Sequence, residues 1–376
     1  MLDKYIQDDE IFISKKVWKK LNIKYTQQEI IESFIDIILD KKLKIPYRHL
    51  NRQEAKQDFL RLLEYDTSQM IKHNETFTRY DYDYKISNLY LAPNINIGNK
   101  ASDFFQQKNR FKSDSINAPS PYRTWHTEKF LRTLLPALWT LKCQEVNSSV
   151  LRTIISLRKY IASQFRPVIA KTIYNKFDSK VVLDFSAGWG DRLCGFYASP
   201  NTRFYLGVDP NSRTCEKYYE QDKFYKKILK QNDLHKKSTY FINSPAEDLD
   251  FYSKNYFDTI FTSPPYFQVE RYTQEDNQSW KRYKKLEDWK ENFLFATLEK
   301  VWYSLKRGGY LVLNISDVYC NHTINQICDD MNDFIINELG SRKFTAIGMA
   351  MSKRPNSGAL KDKTGVFVEP VWIHKK

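Results

Sequence analysis

Val181-Val182-Leu183-Asp184-Phe185-Ser186-Ala187-Gly188-Trp189-Gly190-Asp191-Arg192-Leu193 is an apolar run ending in an acid, then a Gly-x-Gly turn, then an amphipathic stretch. That order predicts the first strand–turn–helix of a doubly wound sheet, in which a nucleotide-like ligand lies on the backbone of the turn. Phe204-Tyr205-Leu206-Gly207-Val208-Asp209-Pro210-Asn211 repeats the strand pattern. Asp209 ends that strand about 20 residues after the glycines, where an acid can hold ribose hydroxyls. The next glycine after Gly190 is Gly195, so the spacing departs from the dinucleotide fingerprint. Asp184, ahead of the turn, would repel a pyrophosphate but suits the ammonium of a methionine moiety. Both features favour S-adenosylmethionine (SAM) over a dinucleotide as the expected ligand.

Phe257-Asp258-Thr259-Ile260-Phe261 is a second apolar run, and Thr262-Ser263-Pro264-Pro265-Tyr266 follows it directly. The stretch reads as a buried strand spilling into a rigid loop. Two consecutive prolines remove two backbone N–H groups and fix two φ angles. What the loop can present is carbonyl oxygen, the Ser263 hydroxyl and the Tyr266 ring. That set suits a planar ring bearing an exocyclic NH₂ group. Ser263 Oγ and the Pro264 carbonyl can accept its two hydrogens, and Tyr266 can stack on the ring. An ordinary strand-ending turn uses the same dipeptides. The functional reading therefore rests on the pairing of this loop with the Gly-x-Gly turn.

Together the motifs resemble those of the SAM-dependent amino-methyltransferases of nucleic acids, which methylate the exocyclic nitrogen of cytosine or adenine. The resemblance covers residues 160–373. It implies that Asp184, Phe185, Ala187, Gly188 and Gly190 form the cofactor loop and that Asp209 is the ribose-binding acid. Ala246-Glu247-Asp248 resembles the segment that meets the adenine amino group. Ser263, Pro264, Pro265 and Tyr266 match the catalytic loop in its Ser form. Phe165-Arg166-Pro167 is similar to the segment flanking the methionine end. The implied fold is α/β, a doubly wound, mostly parallel seven-stranded Rossmann-like sheet with an N-terminal mainly helical domain. The expected division is residues 1–125 for the helical and irregular region and 126–376 for the methyltransferase domain with its leading helices.

The implied activity is methyl transfer from SAM to the exocyclic amine of a DNA base, cytosine N4 ahead of adenine N6. The base would leave its stack to enter the site. An RNA base as target, and a non-catalytic nucleic-acid-binding subunit of the same fold, stand as alternatives. Family members with this motif order usually carry a target-recognition domain after the sheet. Here the last expected strand lies close to Lys376, so recognition is expected in the first 140 residues or in the insertion 267–288.

Composition agrees with a nucleic-acid partner. The 376 residues include 59 Lys and Arg against 45 Asp and Glu, a net charge of +14. Such a surplus favours a polyanion. A Lys-rich surface with solvated faces is the plainer explanation of the same charge. Aromatic residues make up 15% of the chain, and aromatics among basic residues suit base stacking beside phosphate contacts. Five scattered cysteines form no Cys-x-x-Cys pair, which points to a reducing compartment and no metal site. No Pro-Cys dipeptide offers the thiol that carbon-5 cytosine methylation needs. No apolar run reaches membrane-spanning length, and the N-terminus lacks a signal-peptide core, so a cytoplasmic, membrane-free protein is expected.

Along the chain, residues 1–70 read as helical. Thr26-Gln27-Gln28-Glu29 fits a capping box ahead of Ile30, Ile31, Phe34, Ile35 and Ile38 at helical spacing. Lys15, Lys16, Lys19 and Lys20 flank Trp18 on the preceding helix. Residues 71–125 show little periodicity and read as a loop region or linker. Strands are expected at 181–184, 205–209, 239–243, 257–262 and 310–315, then an antiparallel pair at 344–351 and 365–373. The loop 352–358 between that pair carries Lys353 and Arg354, which suit phosphates.

Overall fold

The computed structural model describes residues 1–78, 80–92, 95–116, 118–159, 161–232, 236–249, 253–320, 323–351 and 365–376. The loop 352–358 lies outside them. The chain forms two compact units.

The larger unit holds residues 50–106, 164–270 and 274–376. Its centre is one ten-stranded sheet. The strands are β1 (Ile71–His73), β2 (Phe77–Thr78), β3 (Leu89–Leu91), β4 (Val181–Asp184), β5 (Phe204–Val208) and β6 (Ser238–Ile242). β7 (Phe257–Thr262), β8 (Leu305–Asn314), β9 (Lys343–Ala350) and β10 (Val366–Lys375) complete it. The spatial order is β1-β3-β9-β10-β8-β7-β4-β5-β6, with β2 beside β10. β8, β7, β4, β5 and β6 run parallel, while β10 is antiparallel to both β8 and β9. All seven expected strands are present in a doubly wound arrangement.

Alternation along each central strand explains the two layers. Val182, Phe261 and Val312 enter one apolar core, and Leu183, Ile260, Leu311 and Leu313 enter the other. Both faces of the sheet are thus covered, as parallel strands require. Ile169, Tyr174, Leu193 and Phe196 from helices Pro167–Lys176 and Asp191–Ala198 fill the first core. Leu298 and Val301 of helix Ala296–Ser304 enter the second.

The sheet is wider than the sequence predicted, because β1, β2 and β3 come from the stretch read as loop or linker. β3 pairs parallel with β9 and β1 pairs antiparallel with β3, covering what would otherwise be an open edge. Strands of two or three residues carry no readable period. The division also departs from the expected boundary at residue 125. Helix Arg52–Glu64 belongs to the sheet unit, where Phe59 packs on Tyr225 with ring centroids 4.5 Å apart. The buried ammonium of Lys171 donates to the Leu62, Leu63 and Tyr65 carbonyls at 2.8, 2.9 and 2.8 Å, capping that helix's C-terminal end.

The smaller unit comprises residues 1–49, 107–163 and 271–273 and is mainly helical. Helix Gln27–Asp40 starts at the expected capping box. Thr26 Oγ1 accepts from Glu29 N at 3.2 Å, and Glu29 Oε2 accepts from Thr26 N at 2.7 Å. Ile30, Phe34 and Ile38 then form one core with Trp125, Leu131, Leu134 and Leu151. No helix among the described residues is long and apolar enough to cross a membrane.

Candidate active site

Strand order reverses at β4. β5 and β6 lie on one side of it, β7 and β8 on the other. Ligands of open α/β sheets bind outside the carboxyl ends of the strands at such a switch point. The loops after β4 and β7 leave the sheet side by side there, because Thr259 and Ile260 register with Val182 and Leu183.

The turn after β4 is shaped by two left-handed glycines, Gly188 at φ +59° and Gly190 at φ +72°. A side chain on Gly190 would run into Gln221, whose Nε2 donates to the Trp189 carbonyl at 3.3 Å. Gly188 is different. A side chain there would meet only Ser186 O at 3.8 Å and Arg192 Nη2 at 3.9 Å, ordinary contact distances, so the left-handed φ and not crowding is what favours glycine. That peptide is held at both ends. Gly188 N donates to Asp209 Oδ2 at 2.8 Å, and Tyr218 Oη donates to Gly188 O at 2.5 Å. Asp209 Oδ1 also accepts from Asn211 N at 2.9 Å. Burial pushes the Asp209 carboxyl up to about 7, against the lowering pull of these two amides.

Asp184 is placed differently from the sequence expectation. Its carboxylate is fully buried and its oxygens are engaged within the protein. Arg192 Nε and Nη2 donate to it at 2.8 and 3.1 Å, Tyr205 Oη at 2.7 Å and Thr262 Oγ1 at 2.8 Å. With four donors from the protein itself, this carboxylate holds the loop after β4 in place. Thr262 Oγ1 also accepts from Ser186 N at 3.1 Å, so one hydroxyl joins the two loops. Phe165 and Phe261 lie over the Arg192 guanidinium at 5.4 and 5.9 Å. Sequence reading missed Arg192, Tyr205 and Thr262 as a set. The available signal was that an acid ending a buried strand needs a partner, and Arg192 stands on the very next helix. Phe185 and Ala187 are core residues, 1% and 2% exposed.

Two acids follow β6. Glu247 is buried, and its Oε1 accepts from Arg282 Nη1 at 2.9 Å and Tyr283 Oη at 3.2 Å. Its Oε2 is buried without a hydrogen-bond partner, and burial raises the carboxyl above its ordinary range. Asp248 is more open and accepts from both terminal nitrogens of Arg282, at 2.8 and 2.9 Å. The insertion therefore docks on the turn after β6. It also docks after β5, where Asn277 Nδ2 donates to Pro210 O at 3.0 Å and Ser212 hydrogen-bonds Glu275.

The loop after β7 keeps Ser263, Pro265 and Tyr266 partly exposed and buries Pro264. Tyr266 Oη lies 3.4 Å from both Asn314 O and Glu369 Oε2, and the Ser263 side chain hydrogen-bonds it. Burial, then the Glu369 charge, pushes its phenol well above the usual range. Phe267 adopts φ +49° and turns inward against Trp289, 6.0 Å between centroids. Tyr266 is therefore anchored by its hydroxyl, a tie the sequence did not reveal.

Residues 257–367 match the model of the N6_N4_Mtase family, described as DNA methylase. No curated protein matches the chain. Among solved structures, an rRNA methylase from Streptococcus thermophilus is 16% identical, covers 57% of this chain and 99% of its own, and has a TM-score of 0.33. A methyltransferase from Streptococcus mutans in complex with SAH is 14% identical over 57% of this chain and 100% of its own, TM-score 0.33. One from Pyrococcus furiosus is 14% identical over 61% and 93%, TM-score 0.34. On a Rossmann-like, doubly wound sheet, the segment running from the first residue of β7 to β10 thus matches the N6- and N4-type DNA methylase family.

Proposed function

We propose that this protein transfers a methyl group from SAM to the exocyclic amine of a nucleic-acid base, DNA ahead of RNA and cytosine N4 ahead of adenine N6. The observation that carries the reading is the Thr262 hydroxyl. It ties the Ser263–Tyr266 loop to Asp184 and Ser186, so the amine-accepting loop and the Gly188 turn sit at one switch point. The family match over 257–367 includes that loop.

The residues fit the cofactor. Gly188 carries no side chain that would stand between a ligand and the backbone of the turn, and a Cβ there would make no contact shorter than 3.8 Å. Asp209, beside it, is a carboxylate suited to a ribose diol, and the unpartnered Glu247 Oε2 suits an amino donor. SAM, when bound, supplies an electrophilic methyl on a sulfonium. The chain does the rest. Ser263 Oγ and the Pro264 carbonyl accept the two amine hydrogens, which draws the nitrogen lone pair out of ring conjugation and aims it, and once the nitrogen has taken the methyl one of those two protons is released to solvent. Rigid prolines hold those acceptors in place before the base arrives, so rate comes from positioning and local electrostatics. Asp184 and Arg192 position the loops without touching either reactant.

The test is to incubate the protein with methyl-labelled SAM and either DNA or RNA, then identify the modified nucleoside by mass spectrometry. N4-methylcytosine is expected first, N6-methyladenine second. Label in 5-methylcytosine, or in no nucleoside of either polymer, would overturn the proposal.

A further inference from the structure

Helix Lys15–Lys24 of the smaller unit presents two unlike sides. Trp18 and Leu21 are buried in the unit's own core. Trp18 Nε1 donates to the Cys143 carbonyl at 2.9 Å, and its ring lies 5.1 Å from Trp139. The other side carries Lys15, Lys19, Ile23, Lys16, Lys20 and Lys24, all exposed. At 100° per residue these six fill one contiguous half of the helix. No ion pair among the described residues involves Lys15, Lys16, Lys19 or Lys20, and Ile23 stands 77% exposed in their midst.

Like charges this dense repel one another, and among the described residues none of these four lysines stands in an ion pair. We infer that this face is a docking surface for the phosphodiester backbone of the nucleic-acid substrate, an inference that rests on the function proposed above. Dimensions agree. Ten residues of helix extend about 13.5 Å from first to last Cα, the axial length of roughly four phosphates on one strand. Lysine is a point charge on a flexible stem, which suits phosphate contact without base readout. An anionic lipid surface would also attract these charges. Stable interfacial anchoring needs an apolar helix face to insert, however, and here that face is already committed to Trp139, Phe34 and the rest of the core. Ile23 alone fits contact with sugar or base edges better than insertion.

The experiment compares the full chain with K15Q/K16Q/K19Q/K20Q by fluorescence anisotropy on labelled DNA across a salt series. Vesicles of phosphatidylserine and phosphatidylcholine form a parallel arm. The glutamine variant should bind DNA at least about tenfold more weakly at ~0.15 M salt, with its log–log salt slope shallower by about 3. The corresponding four-arginine variant should bind like the parent, and all three should melt together because the side chains are exposed. Equal affinity and slope in parent and glutamine variant would overturn the surface. So would vesicle binding by the parent without DNA binding. Methyl transfer is scored separately at low salt. A parent that binds DNA through this face yet methylates nothing would sink the enzymatic reading and leave the surface standing.

Discussion

At the scale of single residues, the acid after β5 is the most informative. Asp209 is buried between the Gly188 and Asn211 amides, and burial lifts its carboxyl to about 7. A carboxyl raised above its unfolded value contributes stability that is full below about 4 and is lost as pH rises through about 7. Ligand hydroxyls donating to the same oxygens favour the anion. SAM binding should therefore expel a proton, and SAM affinity should climb between about pH 6 and pH 8. Calorimetry at pH 6.5 in two buffers of different ionisation enthalpy reads this directly. Proton release that disappears in Asp209→Asn is the expected result; a binding heat independent of buffer would contradict it. Asp184 teaches the opposite lesson. Its position at a strand end was legible, but its role was not, because its partners Arg192, Tyr205 and Thr262 come from three different elements.

At the scale of elements, that cluster is a clamp. One carboxylate on β4 receives donors from the following helix, from β5 and from the end of β7. Removing one partner of a buried, hydrogen-bonded ion pair leaves the other charge uncompensated. Arg192→Met should accordingly lower unfolding free energy by about 3–5 kcal/mol in denaturant melts. Arg192→Lys should restore only part of the loss, because an ammonium cannot reproduce the two-pronged contact. A cost under about 1 kcal/mol for Arg192→Met would show that the clamp does not hold these elements together. The insertion is a second device of the same kind. Arg282 and Tyr283 fasten it after β6, while Glu275 and Asn277 fasten it after β5. Such side-chain contacts leave no period in the sequence.

At the scale of the whole molecule, the features readable in advance were those with a local signature. Strongly apolar strands ending in Asp184, Val208 just before Asp209, and Thr262 announced the parallel sheet, and the capping box at Thr26 announced its helix. Features built from distant segments were not readable. Strand β3 gains its identity only by pairing with β9, and the edge strand β1 only by pairing with β3, while helix Arg52–Glu64 joins the sheet unit through Phe59 and a carbonyl cap from Lys171. The loop 263–266 was legible as a chemical inventory, whereas the tethering of the Tyr266 hydroxyl needed the fold. The central claim is that this loop accepts the hydrogens of an exocyclic amine. Single-turnover methyl transfer by Ser263→Ala tests it most directly, with SAM affinity measured on the same preparation. On that claim Ser263 meets the target and not the cofactor, so SAM affinity should be unchanged while the rate falls by roughly 10²–10³, the cost of one lost polar contact to the reacting group. A Ser263→Ala protein that transfers methyl groups at the parent rate would contradict the account.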